Sequence, residues 1–143
     1  MYVKNILNRK GHDVISIEPT STMLETAKVL RENKIGAILV CDKDGKMCGV
    51  ISERDIVIAI ARSGAPILNK AVGDFMTTGV YTCKAEDTIK QVMEVMTSRR
   101  IRHLPVVGAG GTIVGMISIG DVVKERMSET EAEAEALKAY IAT

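Results

Sequence analysis

Gly49-Val50-Ile51-Ser52-Glu53-Arg54-Asp55 decides the fold of this chain, because a close copy of it returns as Gly115-Met116-Ile117-Ser118-Ile119-Gly120-Asp121. In both copies an apolar run stops at a serine, an aspartate follows, and a helix-like segment comes next. Each copy therefore predicts a strand that leads into a helix N-terminus, where unpaired N–H groups and the helix dipole favour an anion. An aspartate there does not bind phosphate, but it can accept hydrogen bonds from a ribose diol. The two copies predict two nucleotide sites.

The repeat extends well beyond these two stretches. Residues 13–61 align with residues 79–127 without a gap, and the identities fall at glycines, at apolar positions and at the Ser-x-x-Asp. An internal repeat fixes the architecture of a chain before any other signal does. Two copies are too few for a solenoid, so we expect two half-domains packed about a pseudo-twofold axis.

Each copy reads as β-α-β-β-α, which makes the predicted fold class α/β. A short strand at Val14–Ile17 precedes a helix that Thr22 begins, and Thr88 begins the equivalent helix of the second copy. Both threonines stand in a Thr-x-x-Glu or Thr-x-x-Gln capping box. The hairpin strands are predicted at 35–41 and 46–51 in the first copy, and at 101–107 and 112–117 in the second.

Four segments follow from this pattern. Residues 1–61 form the first repeat with an N-terminal helix, 62–78 the linker and the opening of the second repeat, 79–127 the second repeat, and 128–143 a C-terminal helical tail. The tail has the Glu-Ala alternation that favours helix by propensity, and it carries an apolar patch of Leu137, Tyr140 and Ile141. Two interpretations of the patch stay open: a frayed, exposed end, or docking on the parent domain or a second subunit.

Composition and charge argue against several classes of protein. With 19 Lys+Arg, 18 Asp+Glu, three Tyr, one Phe and no Trp, the chain lacks the basic face and the stacking platform of nucleic-acid binders. No apolar run approaches the roughly 20 residues of a membrane span, and the charged N-terminus is not a signal peptide. Three cysteines and two histidines without a CxxC or paired His form no metal-site pattern. We therefore expect reduced thiols and a cytoplasmic location.

The assembled motifs resemble a CBS-domain pair, also called a Bateman module. The resemblance rests on the two Gly-h-h-Ser-x-x-Asp endings (h, hydrophobic), the Ile101–Val106 strand, the Val72–Thr77 opening and the tandem arrangement, and it covers residues 3–127. The two serine–aspartate stretches are similar to those of short, stand-alone bacterial CBS-pair proteins. The resemblance implies two β-α-β-β-α units joined through their sheets, flanked by N-terminal and C-terminal helices, and association of modules into a disc-like homodimer.

The resemblance also implies two clefts for adenosine-containing ligands, with AMP first and ADP, ATP, NAD(H) or S-adenosylmethionine as further candidates. In the family the serine or threonine meets phosphate and the aspartate grips the ribose hydroxyls, while strand residues of the other repeat line the base and the phosphates. Carried over, the first cleft would use Ser52, Arg54 and Asp55 with Thr77, Tyr81, Thr82, Ile101, Arg102, His103 and Pro105. The second would use Ser118 and Asp121 with Ser16, Ile17, Lys34, Ile35, Gly36 and Ala37.

The two copies differ in charge. The first has Arg54 where the second has Gly120, and the first cleft would collect Arg54, Arg102 and His103, which match the charge of a phosphate. The second cleft has only Lys34 as an obvious cation. We therefore expect the second cleft to be empty, weaker, or selective for an uncharged nucleoside end.

These motifs leave three classes of function to consider. The leading hypothesis is a regulatory adenine-nucleotide-binding module that senses energy or redox state and acts through conformational change or a regulated partner protein. One alternative is a structural or dimerisation module with empty clefts, since Ser-x-x-Asp is also a plain helix capping box. The other is a nucleotide-processing enzyme, but no nucleophile–base pair or metal cluster is visible. The glycines at 108–111 lack the lysine of a phosphate-binding loop, so the sequence predicts no enzyme.

Overall fold

The structure is a computed structural model that describes residues 1–142, and it contains two compact units. One unit is Val14–Val80, and the other combines Met1–Asp13 with the chain from Tyr81 onward. In chain order the helices are α1 (Val3–Lys10), α2 (Met23–Glu32), α3 (Glu53–Ser63), α4 (Ile89–Arg99) and α5 (Ile119–Ala142), and the strands are β1 (Ser16–Ile17), β2 (Ala37–Cys41), β3 (Met47–Ser52), β4 (His103–Val107) and β5 (Ile113–Ser118). Short 3₁₀ turns lie at Ala65–Asn69, Val72–Asp74 and Ala109–Gly111. The predicted α/β class is confirmed.

The Val14–Val80 unit contains a three-stranded sheet in the order β1-β2-β3. Strand β1 runs parallel to β2, and β2 pairs antiparallel with β3. After α3 the chain returns to the sheet, where Thr77 exchanges two backbone hydrogen bonds of 2.8 and 3.0 Å with Val50 of β3. Every residue of β2 is buried, because β2 is the central strand and its apolar side chains pack with Met23 and Leu30 of α2 and Ile56 of α3.

The other unit has a smaller sheet, formed by β4 and β5 alone. The equivalent of β1 is reduced to a single parallel bridge between Cys83 and Val106. Helix α1 completes this unit, because its apolar stripe of Val3, Ile6 and Leu7 is buried in the same cluster as the apolar residues of α4, β4 and β5. The predicted N-terminal helix is thus present, and its apolar stripe is covered by the second repeat.

Each unit uses a strand glycine for this close packing. A Cβ at Gly115 of β5 would lie 2.5 Å from Cδ2 of Leu7, and a Cβ at Gly49 of β3 would lie 2.6 Å from the carbonyl oxygen of Thr77. Ordinary side-chain contacts are about 3.5–4.0 Å. Only glycine fits at Gly49, because the obstacle is backbone, whereas a larger residue at Gly115 would force the Leu7 side chain to move. The segment that opens the first repeat therefore packs closely on β5, and the segment that opens the second repeat packs closely on β3.

The boundaries of the two compact units do not coincide with the boundaries predicted for the repeats. The predicted boundaries put the N-terminal helix with the first repeat and residues 62–78 with the opening of the second, whereas α1 packs with the second repeat and Val72 is buried in the core of the first. Each opening segment packs this way because it has apolar side chains to bury, and because a glycine in the last strand of the other repeat leaves room for it. Among residues 1–142, no helix is long and apolar enough to span a membrane.

Candidate functional site

Ser52 and Asp55 form a reciprocal pair at the junction of β3 and α3. The backbone N–H of Ser52 donates to Asp55 Oδ2 at 2.8 Å, and the backbone N–H of Asp55 donates to Ser52 Oγ at 3.2 Å. Both residues are half-buried. The pair is a capping box, so the serine and the carboxylate are held by the helix start even without a ligand.

The second repeat builds the same junction between β5 and α5. The backbone N–H of Ser118 donates to Asp121 Oδ2 at 2.9 Å, and that of Asp121 donates to Ser118 Oγ at 3.2 Å. In the described part of the chain, the hydrogen bonds of both carboxylates end on Oδ2. Since an ionised carboxylate has acceptor capacity on both oxygens, these hydrogen bonds leave the acceptor capacity of Oδ1 unused in each aspartate.

A backbone hydrogen bond links each junction to the residue just before the first strand of its hairpin. Glu53 N donates to the carbonyl of Gly36 at 3.0 Å, and Ile119 N donates to the carbonyl of Arg102 at 2.8 Å. These four residues occupy equivalent positions in the repeats, so the two junctions are built alike. The helix N-termini lie next to the segments that the sequence marked as lining residues.

The predicted site residues divide between the two units. Ser16, Ile17, Lys34, Ile35, Gly36, Ala37, Ser52, Arg54, Asp55 and Thr77 lie in the Val14–Val80 unit. Tyr81, Thr82, Ile101, Arg102, His103, Pro105, Ser118 and Asp121 lie in the other unit. Each unit therefore contains one serine–aspartate junction and part of the lining predicted for each cleft. The combination of residues from the two units into clefts stays a prediction.

Strand register brings several lining residues beside the serines of their own repeat. Ala37 is the cross-strand partner of Ser52, and His103 is the partner of Ser118. Directly opposed residues lie on the same face of a sheet, so the His103 side chain is a neighbour of Ser118. His103 was predicted to line the cleft of Ser52, but within its own unit it adjoins the second junction.

A groove of about 530 Å³ lies between α2 and α3 beside the first junction. Lys34, Ile35 and Gly36 line it together with Glu53 of α3. Lys34 and its equivalent Arg100 both adopt a left-handed backbone conformation, with φ of 53° and 55°. This conformation is uncommon for residues other than glycine, and in both repeats it ends the helix that precedes the lining segment.

Tyr81 is held by a cation–π contact. The guanidinium carbon of Arg99 lies 5.0 Å from the centre of the Tyr81 ring, and the ring is partly exposed. An exposed contact of this kind contributes about 0.5–1 kcal/mol. It places a guanidinium beside a residue that was predicted to line the first cleft, and no motif in the sequence marks Arg99.

Lys10 is the residue at the second junction that sequence reasoning missed. Its ammonium nitrogen lies 2.7 Å from Asp121 Oδ2 and 2.9 Å from the carbonyl oxygen of Met116. The equivalent carbonyl in the first repeat belongs to Val50 and accepts from the backbone N–H of Thr77. A lysine in the last turn of a helix ordinarily signals only compensation of the helix dipole, so no pattern in the sequence marked it.

The surroundings of Asp121 change its acidity. Burial alone would raise the pKa of the carboxyl group, but the hydrogen bonds from Lys10 and Ser118 and the positive charge of Lys10 together lower the pKa. Asp121 is thus held as a carboxylate by a cation from α1. The second junction has a positive charge that the comparison of the two repeats did not reveal.

No cluster of three or more His, Cys, Asp or Glu side chains that could hold a metal ion occurs within residues 1–142. The three cysteines are free thiols, with Cys41 and Cys83 buried. Burial, followed by the nearby Asp87 charge, raises the pKa of Cys83 to about 12. Buried thiols of this kind are unreactive.

Two related repeats, each with a serine–aspartate junction at a helix start, define a tandem-repeat protein of the α/β class. The family model of the CBS domain matches residues 3–62 and again residues 72–128. The chain belongs to the CBS domain family, and it carries this domain as a pair.

Solved structures support the assignment. A CBS-domain containing protein from Agrobacterium tumefaciens is 46% identical, with a TM-score of 0.85 over 87% of this chain and 92% of that chain. A CBS domain pair in complex with 5′-methylthioadenosine and S-adenosyl-L-methionine is 26% identical, with a TM-score of 0.80 over 90% of this chain and 98% of that chain. A CBS domain protein from Pyrobaculum aerophilum complexed with AMP is 28% identical, with a TM-score of 0.75 over 85% and 89%. The chain spans 57–66% of the length of the curated relatives it matches first.

Proposed function

We propose that this chain is a regulatory module that binds adenosine-containing ligands, with AMP as the first candidate and ADP, ATP or NAD(H) as further ones. The observation that carries the proposal is the serine–aspartate junction, which occurs in each repeat with the same hydrogen bonds and with one carboxylate oxygen to spare. Oδ1 of Asp55 and of Asp121 would accept hydrogen bonds from the two ribose hydroxyls.

The ligands of related structures support the ribose as the shared element. The relatives described above hold AMP, 5′-methylthioadenosine or S-adenosyl-L-methionine. These three molecules have adenosine in common, but they differ in charge and only AMP has a phosphate. A site that grips the ribose suits all three, so the charge near each junction selects among them.

Charge near the two junctions supports binding of an anionic ligand end. Arg54 lies in the first turn of α3, one residue before Asp55. At the second junction Gly120 replaces that arginine, and Lys10 supplies a cation instead. Because Lys10 is shared with the Asp121 carboxylate, it offers less net charge to a phosphate than Arg54 does. We expect AMP to bind more tightly at the first junction than at the second.

The module would report ligand binding by a change in geometry. A ligand that binds one arrangement of the repeats better than another shifts the population towards it, and a partner protein that distinguishes the arrangements senses the ligand. We further propose that the chain acts as a homodimer in a reducing compartment such as the cytoplasm. The free thiols of Cys41, Cys48 and Cys83 support such a compartment.

Isothermal titration calorimetry with AMP on Asp55→Ala and Asp121→Ala tests the proposal. A hydrogen bond to a charged group contributes roughly 1.5–3 kcal/mol, so each substitution should weaken binding at its own junction by about tenfold or more. The double variant should show no measurable AMP binding. Unchanged affinity in both single variants would contradict the ribose role.

Helix α4 offers a matched control for the capping function of the aspartates. Thr88 N donates to Gln91 Oε1 at 2.8 Å and Gln91 N donates to Thr88 Oγ1 at 3.1 Å, so the same box caps a helix that does not begin at a serine–aspartate junction. Gln91→Ala should cost stability comparable to Asp55→Ala, about 1 kcal/mol, and leave AMP binding unchanged. Equal loss of AMP binding in both variants would mean that the aspartates act only as caps.

Two measurements separate this function from the alternatives. A nucleotide at a hundred times its Kd should stabilise the protein by about 2.7 kcal/mol, so a thermal-shift panel without any response would favour a structural module with empty clefts. Release of phosphate or base from ATP, AMP or NAD by the purified protein would favour an enzyme.

A further inference from the structure

Helix α5 has one face that the module covers and another that it leaves exposed. The buried residues of the helix are Val122 and Glu125, and Glu129 on the same side bonds to the amino group of Met1 at 3.2 Å. Arg9 of α1 forms an ion pair with Glu125. From the helix geometry, a second row of residues lies roughly 130° around the axis from this covered face.

The second row has the spacing of a coiled coil. Its members are separated alternately by four and three residues, and its large apolar residues are 41–73% exposed: Val123, Met127, Leu137 and Ile141. A repeat of this kind places the row along one seam that a second helix can cover. We call this row the α5 seam: Val123, Met127, Thr130, Ala134, Leu137 and Ile141.

Charges beside the seam are complementary between two copies of this chain in parallel orientation. In a parallel pair, the residue just before the first of two seam positions spaced three apart faces the residue just after the second one on the other helix. Arg126 would then face Glu131 of the other copy, and Glu133 would face Lys138. Both contacts are attractive, and symmetry doubles them.

The antiparallel arrangement lacks this complementarity. In the register that keeps the whole seam in contact, Glu131 would face Glu131 and Glu133 would face Glu133 of the other copy. Like charges in facing positions oppose association. The charge pattern therefore favours the parallel arrangement.

The helix is already ordered in the single chain. The 24-residue α5 is longer than the roughly 12–15 residues below which isolated helices are marginal in water, and its first three turns are anchored through Val122, Glu125 and Glu129. Preorganisation lowers the entropy cost of association. We propose that two copies of this chain associate through their α5 seams as a short parallel coiled coil. This inference names the surface for the homodimer included in the proposed function and does not depend on nucleotide binding.

Sedimentation velocity on the full chain tests the surface. Met127→Glu with Leu137→Glu puts two charges into the seam and should raise the Kd of the dimer by about a hundredfold or more. The matched control is Ser128→Glu with Ala139→Glu, which adds the same charge to the same helix outside the seam and should leave the Kd unchanged. A wild-type monomer would overturn both the dimer and the seam. A dimer that survives the seam variant unchanged would overturn the seam alone.

A charge exchange tests the orientation. Glu133→Lys would turn an attractive contact with Lys138 into a repulsive one in the parallel pair, and two such contacts should raise the Kd by about tenfold. Adding Lys138→Glu should restore the original Kd. In the antiparallel register Glu133→Lys exchanges one like-charge contact for another, so an unchanged Kd would refute the parallel arrangement. AMP calorimetry on the same variants reports separately on the nucleotide sites.

Discussion

Replacing Lys10 with methionine tests whether α1 controls the acidity of the second aspartate. Methionine keeps most of the apolar stem of the lysine and removes the ammonium group. That group lies 2.7 Å from Asp121 Oδ2 and also donates to the carbonyl of Met116 at 2.9 Å. The substitution should therefore raise the pKa of the Asp121 carboxyl group. Burial still raises this pKa, and the hydrogen bond and the charge of Lys10 no longer lower it.

The expected loss of stability is modest. A buried hydrogen bond between charged groups contributes about 1.5–3 kcal/mol, but the Lys10 side chain is 41% exposed and that of Asp121 is 26% exposed. Solvent screening reduces such a pair towards the range of surface ion pairs. We expect Lys10→Met to lower the free energy of unfolding by about 1 kcal/mol at neutral pH.

The effect should depend on pH in one direction. Since the pKa of Asp121 is lowered in the folded protein, its contribution is complete above the ordinary aspartate pKa of about 3.9 and is lost as the pH falls through the folded pKa. The stability difference between wild type and Lys10→Met should accordingly shrink in acid. Urea unfolding at neutral pH and near pH 3 measures this difference.

Carbon-13 NMR titration of the Asp121 carboxyl group is the direct assay, and Lys4→Met is the matched control. Lys4 lies on the same helix and contacts the Tyr2 ring at 5.2 Å, away from the junction. The control should leave the pKa of Asp121 unchanged. If Lys10→Met also left it unchanged, the ammonium group would have no electrostatic hold on the carboxylate, and the role assigned to Lys10 at the second junction would be wrong.

Two further predictions concern packing and thiol chemistry. Gly115→Ala should destabilise the protein by about 1–3 kcal/mol, because the added methyl group overlaps Leu7; adding Leu7→Ala should cost less than the sum of the single changes, and strict additivity in urea unfolding would contradict the contact. With a pKa of about 12, Cys83 should have roughly a thousandfold less thiolate at pH 8 than an ordinary cysteine. Iodoacetamide followed by peptide mass spectrometry should therefore modify the partly exposed Cys48 first, and early labelling of Cys83 in the folded protein would count against its burial.

Local signals predicted most of the elements. The hairpins, the helices after Thr22 and Thr88 and the helix starts at Ser52 and Ser118 follow from apolar periodicity and capping chemistry, which act within a few residues. The strands are shorter than predicted at several ends. The repeat also predicted a first strand for the second copy, where the structure has only the Cys83 bridge, because pairing of an edge strand depends on its neighbour.

Contacts between distant segments could not be predicted. The apolar stripe of α1 showed that one face would be buried, but the pattern did not say which repeat would cover it. The position of Lys10 at Asp121 depends on that packing, so it was hidden as well. In α5 the sequence predicted the apolar patch of Leu137, Tyr140 and Ile141, whereas the seam depends on the burial of Val122 and Glu125, which only the structure shows.

The segment that opens each repeat packs with the other repeat, and this packing has a consequence for synthesis on the ribosome. The Val14–Val80 unit is continuous in the chain, so it can acquire all its contacts while later residues are still being translated. Its counterpart needs Val3, Ile6 and Leu7, which are made first, together with β5 and α5, which are made last. Until translation ends, the apolar stripe of α1 stays exposed, and a chaperone could cover it.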